Sequence, residues 1–173
     1  MTLPKRTFIG LIHERGNAPQ GVVAGLQNYL QVEFARTTFL RPGLPHRFSG
    51  MAAELSVTAL AELDLPRSTT VIGIGVGGLV TAKLQEQTRP DLHVICIASP
   101  TREDGVELRF PSYSRLAIYS PVDPDIGDRV GNWSKLARVY MREDVQVSDP
   151  KSILSLGPTL SQYIRTGEIN GGT

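Results

Sequence analysis

The sharpest chemical pattern in this chain is the run Val71-Ile72-Gly73-Ile74-Gly75-Val76-Gly77-Gly78-Leu79-Val80. A β-branched stretch runs into a cluster of glycines and then into helix-compatible residues. Two kinds of chemistry call for glycines at such a place. A dinucleotide-binding turn needs G-x-G-x-x-G, because the backbone must approach a pyrophosphate at a helix N-terminus. Gly73, Gly75 and Gly78 match that spacing. A nucleophile elbow needs G-x-S-x-G, because the strand-to-helix turn is tight and its central residue sits in strained backbone. Gly73 and Gly77 then flank the turn, and Gly75 stands where the serine belongs. Glycine at that point relaxes the strain and removes the attacking oxygen. The dinucleotide reading asks for an acid at the end of the next strand, to meet a ribose hydroxyl. Ala98-Ser99-Pro100 stands there, and Arg102 is the nearest group for a 2′-phosphate. That motif also usually opens its fold, whereas two strand–helix units precede it here.

Other residues able to do chemistry are sparse. The single cysteine, Cys96, excludes an intrachain disulfide framework and a multi-cysteine zinc site. It lies inside an apolar run, as a core thiol does. The histidines His13, His46 and His93 are far apart, so no local metal-ligand cluster exists. Asp123, Asp125 and Asp128 share one loop, where Asp-Pro pairs also serve as turn residues. Ser99 and Ser120 end strands but neither sits on an elbow. Trp133 reads as a packing anchor.

The elements that must position these residues alternate along the chain. Strands are expected over 7–12, 34–40, 69–74, 92–98, 116–119 and 136–141. Helices are expected over 21–32, from Ser49 to about residue 63, and over 77–87. A short helix is expected within 125–133, and a last one from Pro150 with a kink or a new start at Gly157-Pro158. Residues 100–114 read as a loop or short excursion. This order implies an α/β three-layer sandwich with a mostly parallel six-stranded sheet covered on both faces. In such sheets ligands bind beyond the carboxyl ends of the strands.

Length and composition set the frame. The 173 residues suit a single domain, 1–173, with 168–173 expected as a frayed tail. Hydrophobic residues form 40% and charged residues 20%, too apolar for a disordered chain. Eighteen cationic against 17 anionic side chains leave a formal charge of +1, so nothing in the charge favours nucleic acid or anionic membrane. The first residues do not form a signal-peptide core, and no apolar run approaches the ~20 residues of a membrane span. A cytoplasmic location is the expectation.

Taken in order, strand, glycine elbow, helix, strand, aspartate loop, strand and terminal helix, the chain resembles the α/β-hydrolase superfamily. Its length resembles the smallest lid-less bacterial lipases and esterases of that group. The resemblance rests on the first-strand exit Leu11-Ile12-His13-Glu14-Arg15-Gly16-Asn17, the elbow, the exit Ser120-Pro121-Val122-Asp123-Pro124, and the terminal helix ending near Gly171-Gly172. The resemblance places the family's nucleophile on Gly75 and its acid on Asp123. Residues 142–152, where its histidine would lie, contain none, and Lys151 or Ser152 holds that place. A lysine serves as a base only when burial lowers its pKa by several units. The oxyanion amides fall on Val76 and Arg15, with Gly77, His13, Glu14, Gly16 and His46 around the cleft.

Three functions stay open. One is a hydrolase scaffold without serine-hydrolase chemistry, binding a small carbonyl- or anion-bearing ligand or a protein partner. The second is a hydrolase- or lyase-type enzyme using a non-standard acid/base set drawn from Asp123, Lys151, Glu14 and His46. The third is an NADP-binding protein. The first two need no cofactor and no metal, and a homodimer is admissible in each.

Overall fold

The computed structural model describes residues 9–12, 22–34, 39–40, 52–103, 105–124, 126 and 132–169. In chain order the elements are β1 (Ile9–Ile12), α1 (Val22–Glu33), β2 (Phe39–Leu40), α2 (Ala52–Ala61), β3 (Thr70–Ile74), α3 (Val76–Gln87) and β4 (His93–Ile97). There follow β5 (Arg102–Glu103), β6 (Val106–Glu107), β7 (Arg115–Tyr119), α4 (Trp133–Leu136), β8 (Arg138–Met141), α5 (Pro150–Leu154) and α6 (Gly157–Thr166).

Six strands form one parallel sheet in the order β2-β1-β3-β4-β7-β8. Parallel strands need crossovers, and crossover helices cover the sheet faces. The central strands are accordingly buried: all five residues of β3 and all five of β7, Arg115 included, are buried. Helix α3 packs on β3 and β4 and against α2, while α1 packs against α5 and α6, giving the three-layer sandwich expected. In α1 the buried residues Val22, Val23, Leu26 and Leu30 recur at helical spacing. The chain reverses its direction across the sheet between β1 and β3, and that is where such folds open a ligand crevice.

Several boundaries differ from expectation. The excursion at 100–114 holds an antiparallel hairpin, β5–β6, pairing Arg102 with Glu107. The second strand is only Phe39–Leu40. Phe34 instead continues the α1 ladder, donating its N–H to the Leu30 carbonyl at 2.8 Å. The short helix expected within 125–133 lies mostly outside the described residues; helix α4 starts at Trp133, whose buried indole anchors its first turn. Leu136 belongs to that helix, so β8 is shorter than read. The terminal helix is two helices. Asp149 caps α5 by accepting the Lys151 N–H at 3.2 Å, and Pro158 stands in the first turn of α6.

Arg115, at the start of β7 and 1% exposed, fixes the far end of α3. Its Nε donates to Gln85 Oε1 at 2.9 Å, and its Nη1 donates to the carbonyls of Phe110 and Leu136 at 2.9 and 3.0 Å. Burial lowers its pKa, yet these acceptors satisfy the guanidinium in place. Helix α3 is thereby held at its C-terminal end, and the elbow lies at the other.

Candidate functional site

Gly75 joins β3 to α3 with φ 62° and ψ −131°, backbone that L side chains adopt only under strain. Its N–H donates to the Ile97 carbonyl at 2.8 Å, and its own carbonyl accepts the Gly78 N–H at 3.0 Å. The turn is therefore tied both to the neighbouring strand and to the helix it opens. Of the elbow's flanking glycines, Gly73 is demanded by space, and so is Gly78 one residue beyond Gly77. A Cβ on Gly73 would lie 2.5 Å from the Gly78 Cα and 2.6 Å from the Gly77 carbonyl carbon. A Cβ on Gly78 would overlap the Ser99 Oγ and come within 3.1 Å of the Cys96 Cβ. The glycines let α3 lie directly on β3 and β4, so its first turn ends at the carboxyl edge of the sheet. Val76 and Gly77 occupy that first turn, where a helix presents the positive end of its dipole.

The exit of β4 is built against this turn. Ala98 has φ 50°, a left-handed conformation without glycine to ease it, and its N–H donates to the Ile118 carbonyl at 2.8 Å. Ser99 is buried, and its Oγ–H donates to the same Ile97 carbonyl that accepts Gly75, at 3.2 Å. The indole N–H of Trp133 donates to the Ser99 carbonyl at 2.7 Å. Cys96 lies beneath, donating to the Gly78 carbonyl at 3.4 Å. Burial pushes its thiol up to about 12, only partly opposed by Arg115, so it is no nucleophile.

Asp123 lies beyond β7 in a turn closed by the Val122 N–H donating to Ser120 Oγ at 3.2 Å and the Asp123 N–H donating to the Ser120 carbonyl at 3.3 Å. It is only 2% exposed, unlike an ordinary surface-turn aspartate. Lys151 is exposed in the first turn of α5, so the burial that a lysine base requires is not met. Ser152 is buried but occupied with its own loop. Its Oγ donates to the carbonyls of Asp149 and Gln146, at 2.7 and 3.1 Å, and accepts the Gln146 N–H at 3.1 Å. Arg142, first after β8, forms a two-point ion pair with Asp144 at 3.0 and 2.9 Å.

Among the described residues the only histidine is His93. It is exposed at the start of β4, at the edge of the sheet opposite Gly75. His13, Glu14, Arg15, Gly16, His46, Asp125 and Asp128 lie outside the described residues. The structure thus brings Gly75, Val76, Gly77, Ser99 and Asp123 to the carboxyl edge of β3, β4 and β7, and leaves Lys151 and Ser152 engaged elsewhere or exposed. A groove of about 610 Å3 between the hairpin and α3, lined by Lys83, Arg102 and Arg109 among others, contains none of the elbow residues. No group of three or more His, Cys, Asp or Glu among the described residues is placed to hold a metal ion. No helix among them is long and apolar enough to cross a membrane.

Comparison of the sequence with protein-family models and with curated proteins finds no match. Solved structures do match. A carboxylesterase from Mesorhizobium loti superposes with a TM-score of 0.65 at 14% identity, covering 94% of this chain and 90% of its own. The esterase domain of a Rhodothermus marinus protein gives 0.62 at 13%, covering 91% and 85%. An extracellular α/β-hydrolase from a Paenibacillus species gives 0.57 at 12%, covering 87% and 97%.

The fold is that of the α/β-hydrolases.

Gly75 stands at the strand-to-helix turn after β3, and Asp123 follows β7. At these identities the likeness establishes the fold, and function must be argued from the site. Sequence reading missed the role of Ser99 and the strain at Ala98. One signal was available: Ser99 follows the strand beside the elbow strand, and Gly78 leaves room for it. The burial of Asp123 had no local signal, since its neighbours are ordinary turn residues.

Proposed function

We propose that the turn at Gly75 receives a small carbonyl- or ester-like group, and that the protein handles it without an acyl–serine intermediate. The observation that carries this is Gly75 itself. The strained strand-to-helix turn is kept, and the side-chain oxygen that would attack is absent. The first turn of α3 supports the binding half of the proposal, since a helix N-terminus favours developing or full negative charge.

Two forms of the proposal differ in whether a bond is broken. In the first, water is the nucleophile and the buried Asp123 takes part in proton transfer, a contribution of roughly 10²–10⁴-fold. The likeness to structures named as esterases and hydrolases supports this form. In the second the ligand is bound and released unchanged, or a protein partner reads the bound state. The missing nucleophile and the exposed Lys151 support that form. The dinucleotide reading has less behind it: residues 98–101 are buried and uncharged, with no acid for a ribose. We further propose a single cytoplasmic domain, and the near-neutral formal charge of +1 supports the absence of nucleic-acid partners.

The test is hydrolysis of p-nitrophenyl acetate and butyrate, run beside a titration with butyrate followed through Trp133, the chain's only tryptophan. Turnover that is lost in Asp123→Asn supports the first form. Saturable butyrate binding without turnover supports the second. The absence of both turnover and binding refutes the proposal, and a stoichiometric covalent acyl-enzyme refutes its central clause.

A further inference from the structure

We infer that Ser99 is a positioning residue for the elbow: its side chain fills the space that Gly78 leaves and fixes the turn through a shared carbonyl. The Ile97 carbonyl accepts two hydrogen bonds, from the Gly75 N–H at 2.8 Å and from the Ser99 Oγ–H at 3.2 Å. Gly75 in turn accepts the Gly78 N–H at 3.0 Å. Ser99, Ile97, Gly75 and Gly78 thus form a closed loop of contacts, with Ser99 packed on the helix at Gly78 and bonded to the strand at Ile97. A Cβ at position 78 would overlap the Ser99 Oγ, so the two residues fill one volume between them.

The serine is held from behind as well. Trp133 is fully buried and donates its indole N–H to the Ser99 carbonyl at 2.7 Å. Ala98 holds φ 50° immediately before Ser99, in a conformation that persists only when the surroundings over-determine it. The surroundings here are the Ile118 carbonyl, which accepts the Ala98 N–H at 2.8 Å, and the Trp133 bond one residue on. The chain Trp133–Ser99–Gly78 therefore runs from α4, beyond β7, to the first turn of α3. Its consequence is pre-organisation: α3 meets a ligand with its first turn already set, so less ordering is left for binding to offset. Ser99 touches no reacting atom in this account and acts only through Gly75 and Gly78.

Amide hydrogen exchange by NMR on the intact protein tests this without a ligand. Ser99→Ala removes the Oγ from both contacts. The Gly75 and Gly78 amides are expected to exchange roughly two- to tenfold faster, the order of one net hydrogen bond, while Val94 and Thr88 are unchanged. Gly78→Ala alone is expected to disturb the same two amides more strongly. Ser99→Gly combined with Gly78→Ala relieves the overlap with Ser99 but not the 3.1 Å approach to the Cys96 Cβ, so its two amides are expected to exchange more slowly than in Gly78→Ala alone and no more slowly than in Ser99→Ala, a coupling that two independent sites would not show. Trp133 emission is expected to shift in Ser99→Ala. Equal acceleration at every amide, no acceleration at Gly75 and Gly78, or additive single and double variants would each overturn the inference. Butyrate titration of the same variants adds a separate reading, which rests on the proposed ligand site. If exchange behaves as expected and wild-type protein binds no butyrate, the positioning role stands and the proposed ligand falls.

Discussion

Replacing Gly75 by alanine isolates the backbone of the elbow from any chemistry. The residue is buried at φ 62°, ψ −131°, so an L side chain there carries a strain of about 1–3 kcal/mol. Alanine also stiffens the unfolded chain, which returns about 0.4–1 kcal/mol. The net loss is then between about zero and about 2.6 kcal/mol, or a melting temperature lower by up to roughly 10 °C for a chain of this size. Urea unfolding reads it as a lower midpoint at unchanged slope. Gly167→Ala is the control. Gly167 has φ 74° with nothing within 4 Å of an added Cβ, so it carries a left-handed penalty of roughly 1–2 kcal/mol far from the elbow. Neither variant gains stability, and only Gly75→Ala alters butyrate binding. Gly75→Ser adds the oxygen as well as the strain. It is expected to show no burst of p-nitrophenolate, because residues 142–152 carry no histidine to take the proton. A Gly75→Ala protein more stable than wild type would refute the elbow geometry. A stoichiometric burst from Gly75→Ser would show that a base stands opposite the turn after all.

Gly73→Ala is expected to be the harsher change, costing about 3 kcal/mol or more by overpacking, because its Cβ meets helix backbone at 2.5 Å and no rotamer can yield; equilibrium unfolding measures it. Cys96, with its thiol pushed up to about 12 by burial, is expected to react with a disulfide reagent only after unfolding, so native protein should show no fast phase at neutral pH. Glu86 ties the post-hairpin segment to α3 by accepting the N–H groups of Arg109 and Phe110 at 2.8 and 2.9 Å. Burial alone would raise its pKa, but the Lys83 bond and those two N–H groups hold it below the usual range. Asp91 is likewise lowered, chiefly by Arg89 against its own burial. Folded pKa values below the unfolded ones mean that this stability is present above about pH 4.5 and is lost as pH falls through the folded values. Thermal unfolding of Glu86→Gln should therefore be less sensitive to acid than that of wild type, and an unchanged acid slope would discount the clamp.

The elbow was legible in the sequence because its demands are local. A tight turn with a helix lying on its own strand needs glycine at 73 and 78, and glycine clusters are easily seen. The sheet was legible because parallel strands covered on both faces must be largely apolar, as β3 and β4 after His93 are. Boundaries at Phe34 and Leu136 went astray because each residue's hydrophobicity fits a strand as well as a helix end, and tertiary packing decided. The hairpin at Arg102–Glu107 had no apolar alternation to announce it. The fate of Lys151 turned on exposure, and that of Ser152 on hydrogen bonds within its own loop, neither of which spacing reveals. Asp123 stood at the expected strand exit, but its burial depends on residues distant in sequence.

The strain at Ala98 bears on what kind of site this is. Glycine at 75 removes the strain that an active nucleophile would require, so a scaffold relaxing away from function would be expected to relax at the adjoining turn too. The chain instead holds a buried alanine at φ 50° there, at a cost on the order of 1–3 kcal/mol. It meets that cost with the Ile118 and Trp133 hydrogen bonds. What those bonds secure is the placement of Ser99 against Gly78, and through it the first turn of α3. On the proposed function, glycine at 75 and this strained support together fit a site whose work is done by backbone and helix dipole rather than by an attacking side chain. Ala98→Gly separates the alternatives. It should stabilise the fold if the strain is idle. If the strain sets the turn, Gly75 and Gly78 should exchange faster even as the melting temperature rises.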